Sequence, residues 1–307
     1  MSRTELITTL SNLVSESQNP DTLDLDQLST LELVTRLNQQ DQLVPKAVSH
    51  ILEKISAAVE LIASSIKNGG RLVYIGAGTS GRLGVLDAVE CVPTFSVPDG
   101  LVVGLLAGGK SAMFKAKEGS EDDPLLGQFD LEEIDFSNKD ILVGIAASGR
   151  TPYVVGAMSY ANQLGATTIA ISSNQNAEIA KLASVSLLPE IGPEPIAGST
   201  RMKSGTVQKL ILNMLSTASM IKLGKVYKNL MVDVKATNEK LYARGVRMVM
   251  QVTGVDENTA ELTLKQADMR VKLAILMILA DIDAIDGDNR LQQAEGSLRI
   301  TLASKEQ

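Results

Sequence analysis

From Val48 onward the apolar positions Ile51, Leu52, Ile55, Val59, Ile62 and Ile66 recur every three or four residues and stop at Asn68-Gly69-Gly70. That period predicts one long amphipathic helix closed by a glycine. The pattern then changes. Leu72–Ile75, Leu101–Leu106, Ile141–Ala146, Thr168–Ile171 and Val185–Leu188 are short, continuously apolar runs separated by stretches of helical period. Strands buried between two helical layers need apolar residues on both faces, so these runs predict an α/β fold, a three-layer sandwich on a doubly wound parallel sheet. Before them, Ser29 and Glu32 have the spacing of a capping box ahead of a stretch ending near Pro45, which makes residues 1–45 a helical arm. Residues 46–241 form the α/β domain, ending in a long helix from Ser199 to Leu223. Short helical segments with Leu273, Ile275, Leu276 and Ile278 as apolar positions make residues 242–307 a small helical domain.

Composition narrows the function. At 307 residues the chain has room for one large domain and a satellite, and 44% hydrophobic residues supply a core. A net charge of −7 leaves no broad positive field for nucleic acid, and 3% aromatics without tryptophan leave no stacking platform for single strands. One cysteine, Cys91, and one histidine, His50, provide neither an internal disulfide nor a soft-ligand set for zinc, so no metal is expected. MSRTELITTLSNL lacks the pattern of a secretory signal, and the apolar run Leu273–Ala280 falls well short of the roughly 20 residues that cross a bilayer. A soluble, cytoplasmic protein with no membrane partner is the expectation.

Three motifs suggest chemistry and fail on context. Gly76, Gly78 and Gly81 in GAGTSG satisfy the dinucleotide glycine pattern. The second strand, however, ends in Ala107-Gly108-Gly109-Lys110 and offers no acidic residue for a ribose. The run from Gly104 to Ser111 matches a P-loop by letter, but Gly104 lies inside a predicted strand and no later strand ends in a magnesium-binding aspartate. Asp281, Asp283, Asp286 and Asp288 suggest calcium, yet Ile285 and Gln292 occupy positions where an EF-hand needs ligands. No cofactor is expected.

What remains is a pair of turns. Gly78, Thr79 and Ser80 follow the first strand and open a helix; Ser148, Gly149 and Thr151 do the same after the third. Ligands of doubly wound sheets gather beyond the carboxyl ends of strands, so these hydroxyls and amides could converge on one oxyanion. Ordinary helix capping by serine and threonine is the alternative reading. Arg201 and Lys203 stand in the predicted first turn of the helix from Ser199, where cations are disfavoured unless an anion sits there too.

GAGTSGR paired with AASGRT resembles the sugar isomerase domain. GSTRMKSGTVQK, GRLGVLDAVECVPTF and KEGSEDD narrow the likeness to the N-acetylmuramic acid 6-phosphate etherases, relatives of the glucokinase regulatory protein, over nearly the whole chain. The resemblance implies a carboxyl-terminal ubiquitin-associated-like three-helix fold and a lyase of amino sugar catabolism. In the family reaction D-lactate leaves C3 of N-acetylmuramic acid 6-phosphate and N-acetylglucosamine 6-phosphate remains, by elimination and then hydration, without a metal. Two positions match the family's catalytic glutamates, Glu90 as the acid and Glu121 as the base. Glu90 has the apolar neighbours Val85, Leu86, Ala88, Val89 and Val92, whose desolvation would raise its pKa, and the charges of Glu118, Asp122 and Asp123 would do the same to Glu121. The phosphate is expected on Gly78, Thr79, Ser80, Ser148, Gly149 and Thr151, and the lactyl carboxylate or the phosphate on Arg201 or Lys203, with structural pairing to acidic neighbours as the alternative for these two cations. A noncatalytic sugar-phosphate sensor would need the cradle but not the glutamates, and an aldose-ketose isomerase would not need the long GSTRMKSGT motif. Ten helical residues separate Ser80 from Glu90, about 15 Å of axis. That span exceeds a hexose phosphate, so a homodimer with sites shared between subunits is expected.

Overall fold

A computed structural model describes residues 13–115, 117–234 and 239–303. They fall into two compact units: one runs to Val89 and resumes over Gly100–Ser216, and the other takes Glu90–Asp99 and the chain from Thr217.

In the first unit, helix α1 (Thr30–Asp41) opens as the capping box requires, with the Ser29 amide donating to Glu32 Oε2 at 2.9 Å. α2 (Leu43–Ser49) and α3 (Leu52–Lys67) follow. The single helix predicted from Val48 is thus divided. The His50 and Ile51 amides reach back three residues, to Ala47 and Val48, and this tightened turn leaves Ile51 outside helical geometry.

Strands β1 (Leu72–Gly76), β2 (Val102–Leu106), β3 (Ile141–Ile145), β4 (Thr167–Ile171) and β5 (Val185–Leu187) form one parallel sheet in the order β2-β1-β3-β4-β5. Each lies within a residue or so of an apolar run of the sequence. Between them come α4 (Gly78–Phe95), α5 (Pro124–Glu132), α6 (Pro152–Gln163) and α7 (Glu178–Leu182), with α8 (Lys203–Lys222) after β5. Alternation along β1 sorts its side chains by layer. Val73 and Ile75 join a core with Val154, Ala157 and Met158 of α6, whereas Tyr74 turns toward Gly84 of α4. Gly104, the first letter of the P-loop match, sits in the middle of β2. A Cβ there would lie 2.5 Å from the Val85 Cα, so this glycine serves close helix-to-strand packing.

The second unit contains α9 (Glu239–Thr253), α10 (Glu257–Gln266), α11 (Val271–Ala280), α12 (Ala284–Gln293) and α13 (Leu298–Ala303). The resemblance implies three helices here, and the structure has five. α9, α10 and α11 pack on one another, and α12 and α13 pack on α11. That arrangement explains why α11 is buried along almost its whole length, with Leu273, Ala274, Ile275 and Leu276 no more than 1% exposed. Arg270 and Asp288, a member of the aspartate run that suggested calcium, bond bidentately at 2.6 and 2.7 Å. Among the described residues no His, Cys, Asp and Glu side chains cluster as a metal site, and no helix is long and apolar enough to cross a membrane.

Candidate active site

The strand order reverses at β1, which pairs with β2 on one side and β3 on the other. A crevice opens at such a switch point because the following connections leave toward opposite faces. Gly76 at the end of β1 is in register with Ile145 at the end of β3, so the two hydroxyl turns leave from adjacent positions. The first passes directly into α4, whose opening amides precede any intrahelical partner. Gly78, at φ +54°, is exposed, and Ser80 is 8% exposed. The hydroxyls of Thr79 and Ser80 make no hydrogen bond with any described residue, so capping does not account for them.

The second turn is braced from β4. Ala147 O accepts from Ser172 Oγ at 3.0 Å, and Ser148 O accepts from Asn174 Nδ2 at 3.2 Å. Gly149, at φ +72°, is pressed against Ala177. A Cβ would meet the Ala177 Cα at 2.7 Å, so glycine is needed for both conformation and space. Thr151 is the N-cap residue of α6, yet its side chain makes no cap bond, and Ser148 Oγ only accepts from the Arg150 amide at 3.3 Å. The donors left over beyond the strands are thus the opening amides of α4 and the hydroxyls of Thr79, Ser80 and Thr151, whereas α6 opens with Pro152, which has no N–H, and its Tyr153, Val154 and Val155 amides go to Glu121 O and Thr151 O.

Glu121 lies on the loop that leads into α5. Its carbonyl accepts from the Tyr153 amide at 3.1 Å, two residues beyond Thr151, which pins Glu121 beside the second turn. Behind it, Pro124 packs its backbone against Gly156, where no Cβ would fit, and the Tyr153 hydroxyl donates to Asp130 Oδ2 at 2.5 Å. Burial pushes the Asp130 carboxyl up and the Tyr153 phenol strongly up. A cleft of about 420 Å³ joins Ala77 and Gly78 of the first turn to Lys117, Glu118 and Glu121. Ser148 and Thr151 do not line that cleft. Arg82, which sequence reasoning left without a role, lines it and gathers the carbonyls of Ala112 and Met113 at 2.7–3.2 Å. Its signal was the basic residue closing GAGTSGR.

The remaining expected site residues are Glu90, Arg201 and Lys203. Glu90 belongs to the second unit, so neither unit by itself contains both glutamates. The desolvated setting expected for it is not found: Glu90 is exposed, as are Leu86 at 51% and Val89 at 61%. Glu121 and its acidic neighbours are exposed as well. Arg201 is exposed in the turn before α8. Lys203 is buried, and its ammonium donates to Ile191 O at 2.7 Å and Gln40 Oε1 at 3.1 Å. The anion demanded at the start of this helix is Glu194, whose carboxylate takes the Lys203 and Ser204 amides at 2.8 Å each. Burial pushes the Lys203 ammonium down from its ordinary value, against the attraction of Glu194, Asp21 and Asp41. A larger cavity of about 620 Å³ lies within the second unit. Its cations are committed, Lys225 and Lys272 to Asp233 and Arg270 to Asp288, so it has less to offer an anion than the crevice beyond β1 and β3.

The parallel sheet with helices on both sides is that of a sugar isomerase (SIS) domain, whose model matches residues 134–218. The model of the glucokinase regulatory protein N-terminal SIS domain matches residues 54–162, and that of the same protein's C-terminal lid domain matches 228–300. The chain is 58% identical over its full length to N-acetylmuramic acid 6-phosphate etherase 2 of Vibrio cholerae, covering 100% of each. It is 59% identical to the N-acetylmuramic acid 6-phosphate etherase of Vibrio campbellii, covering 99% of each chain. With that of Serratia proteamaculans it shares 58% over 95% of this chain and 99% of the other. The chain belongs to the N-acetylmuramic acid 6-phosphate etherase family.

Proposed function

We propose that this chain is a carbon–oxygen lyase that cleaves the D-lactyl ether of N-acetylmuramic acid 6-phosphate, giving D-lactate and N-acetylglucosamine 6-phosphate in amino sugar recycling. The full-length identity to etherases carries this reading, since it spans the cleft, both turns and the helical unit alike. The phosphate rests on the opening amides of α4 and on Thr79, Ser80, Ser148 and Thr151, whose hydroxyls have donors to give. Its two charges then anchor the sugar at the switch point, and the ring-opened substrate extends into the cleft.

Glu121, on the cleft wall, removes the proton from C2 of the aldehyde form. The electron pair forms the C2–C3 double bond as the C3–oxygen bond breaks, and an acid delivers a proton to the departing lactate oxygen. Glu121 then gives up that proton to solvent, from which the acid recovers its own, takes a proton from the water whose oxygen adds to C3, and returns it to C2. Glu90 is the acid. It stands on α4 one turn past exposed Leu86 and next to exposed Val89, on a surface suited to a second copy of the chain. The working form is a cytoplasmic homodimer in which burial of that surface supplies the desolvation Glu90 lacks in one chain. Arg201 takes the lactyl carboxylate.

Incubation with N-acetylmuramic acid 6-phosphate and an enzymatic assay for D-lactate tests the activity, and no lactate from folded protein rejects it. Sharing of sites is tested by mixing Glu90→Gln with the Ser148→Ala, Thr151→Ala double variant under subunit exchange. Shared sites place both lesions in one site of the heterodimer and restore the other; verified heterodimers without activity return Glu90 to its own subunit's site.

A further inference from the structure

Four buried polar side chains outside the reaction form one network: Asn19 and Gln40 of the arm, Glu194 after β5 and Lys203 at the head of α8, none more than 5% exposed. Glu194 caps α8 through the Lys203 and Ser204 amides, and the Lys203 ammonium holds Ile191 O and Gln40 Oε1. Gln40 Oε1 also accepts from Asn19 Nδ2 at 2.8 Å, and the same nitrogen donates to Pro193 O at 3.1 Å. Thr22 Oγ1 donates to Pro195 O at 2.9 Å, and Gln40 Nε2 to Asp21 Oδ2 at 3.2 Å. The arm therefore grips residues 191–195 from several directions, and those residues grip α8.

Packing alone would be served as well by apolar side chains, because buried ions must recover their lost hydration. What a saturated polar network adds is a single permitted geometry. The geometry held here is that of Gly198–Gly205. Gly205 donates its amide to Thr200 O at 3.0 Å, and a Cβ placed on it would lie 3.5 Å from the Thr79 methyl and 4.0 Å from Leu83 Cδ1. The head of α8 thus abuts the first hydroxyl turn. We infer that the arm acts as a clasp that sets the head of α8 against the Thr79 turn, which makes Gln40, Glu194 and Lys203 positioning residues for sugar-phosphate binding. This rests on reading the two turns as the phosphate site.

Calorimetric titration of the full chain with N-acetylglucosamine 6-phosphate tests it, with Lys203→Met, Gln40→Leu and the double variant. Each single change is expected to weaken binding about tenfold, with kcat for lactate release changed less than about threefold. The double variant should lose no more than either single one, because both break the same linkage. Loss in Lys203→Met but none in Gln40→Leu would overturn the clasp in favour of a lysine that touches the ligand. Unchanged affinity in both, with only a lower melting temperature, would reduce the network to scaffolding. If Lys203→Met does not fold, Gln40→Leu and Asn19→Ala decide, and unchanged affinity in those two overturns the proposal. Thr79→Ala separates the levels: unaltered affinity there rejects the site reading itself, whereas affinity lost there and kept in the arm variants rejects the clasp alone.

Discussion

Where β1 and β3 begin, Arg71 meets Asp140 through Nε and Nη2 at 3.1 and 2.9 Å, and Asp140 also accepts from the Arg71 and Ser137 amides at 2.8 and 2.9 Å. The rest of the guanidinium is taken by the carbonyls of Ile134 and Asp135. Where the same strands end, the hydroxyls of Thr79, Ser80 and Thr151 have no such partners. Both ends are rich in polar groups. One is saturated by the protein, while at the other these hydroxyls meet no partner among the described residues, and on the proposed function that difference separates a polar cluster that holds the fold from one that binds.

The sharpest break between the ends is expected from the glutamates. On the proposed mechanism Glu121→Gln and Glu90→Gln each remove a proton-transfer group, and neither breaks a side-chain bond to a described residue, so kcat for lactate release should fall by about 10²-fold or more. Urea unfolding midpoints should stay at the wild-type value. A near-normal rate in either variant removes that residue from the mechanism.

Asp140→Asn should do the reverse. It leaves a partly buried guanidinium without its charge partner, for an expected loss of about 2–3 kcal/mol, below the range for a fully buried pair because Arg71 keeps contact with water. Activity per folded molecule should be retained. Burial pushes the Asp140 carboxyl up, but hydrogen bonds and charge from Arg71 outweigh it and hold the group below its ordinary value. A carboxylate with a depressed folded-state pKa contributes stability that is present above its unfolded pKa of about 3.9 and is lost as pH falls through the folded value. Denaturant titrations between neutral pH and about pH 3 should therefore lose this contribution in the wild type and show a shallower acid slope in Asp140→Asn. Equal slopes would mean that the pair does not control acid stability.

Smaller effects belong to the cradle. Ser148→Ala and Thr151→Val each delete one hydroxyl, and KM should rise about tenfold, the size of one charge-assisted hydrogen bond, with kcat within a few-fold. The melting temperature of Thr151→Val should not move, because that hydroxyl bonds no described residue. A fall in stability with unchanged KM would place the second turn among the saturated regions. The smallest change is expected from Tyr153→Phe. It removes the bond to Asp130, about 1 kcal/mol of stability, but leaves the main-chain bond that pins Glu121, so lactate release should be near normal.

The sequence by itself determined the sheet, because strands apolar on both faces and helices apolar on one follow from local periodicity that only a three-layer arrangement can bury. It also marked the two turns, since glycine and hydroxyl residues between a strand and a helix are local signals, and the Ser29 and Glu32 capping box likewise. Tertiary structure decided what those polar residues meet. Lys203 at a helix start called for an anion, and nothing in its neighbourhood along the chain distinguished a ligand from Glu194, which reaches it with Gln40 only once the arm and the chain after β5 have packed. The break at Ile51, the five helices of the second unit and the exposure of Glu90 were decided in the same way. Whether a charge is paired, or an apolar helix face covered, depends on residues distant in sequence, and periodicity carries no information about them.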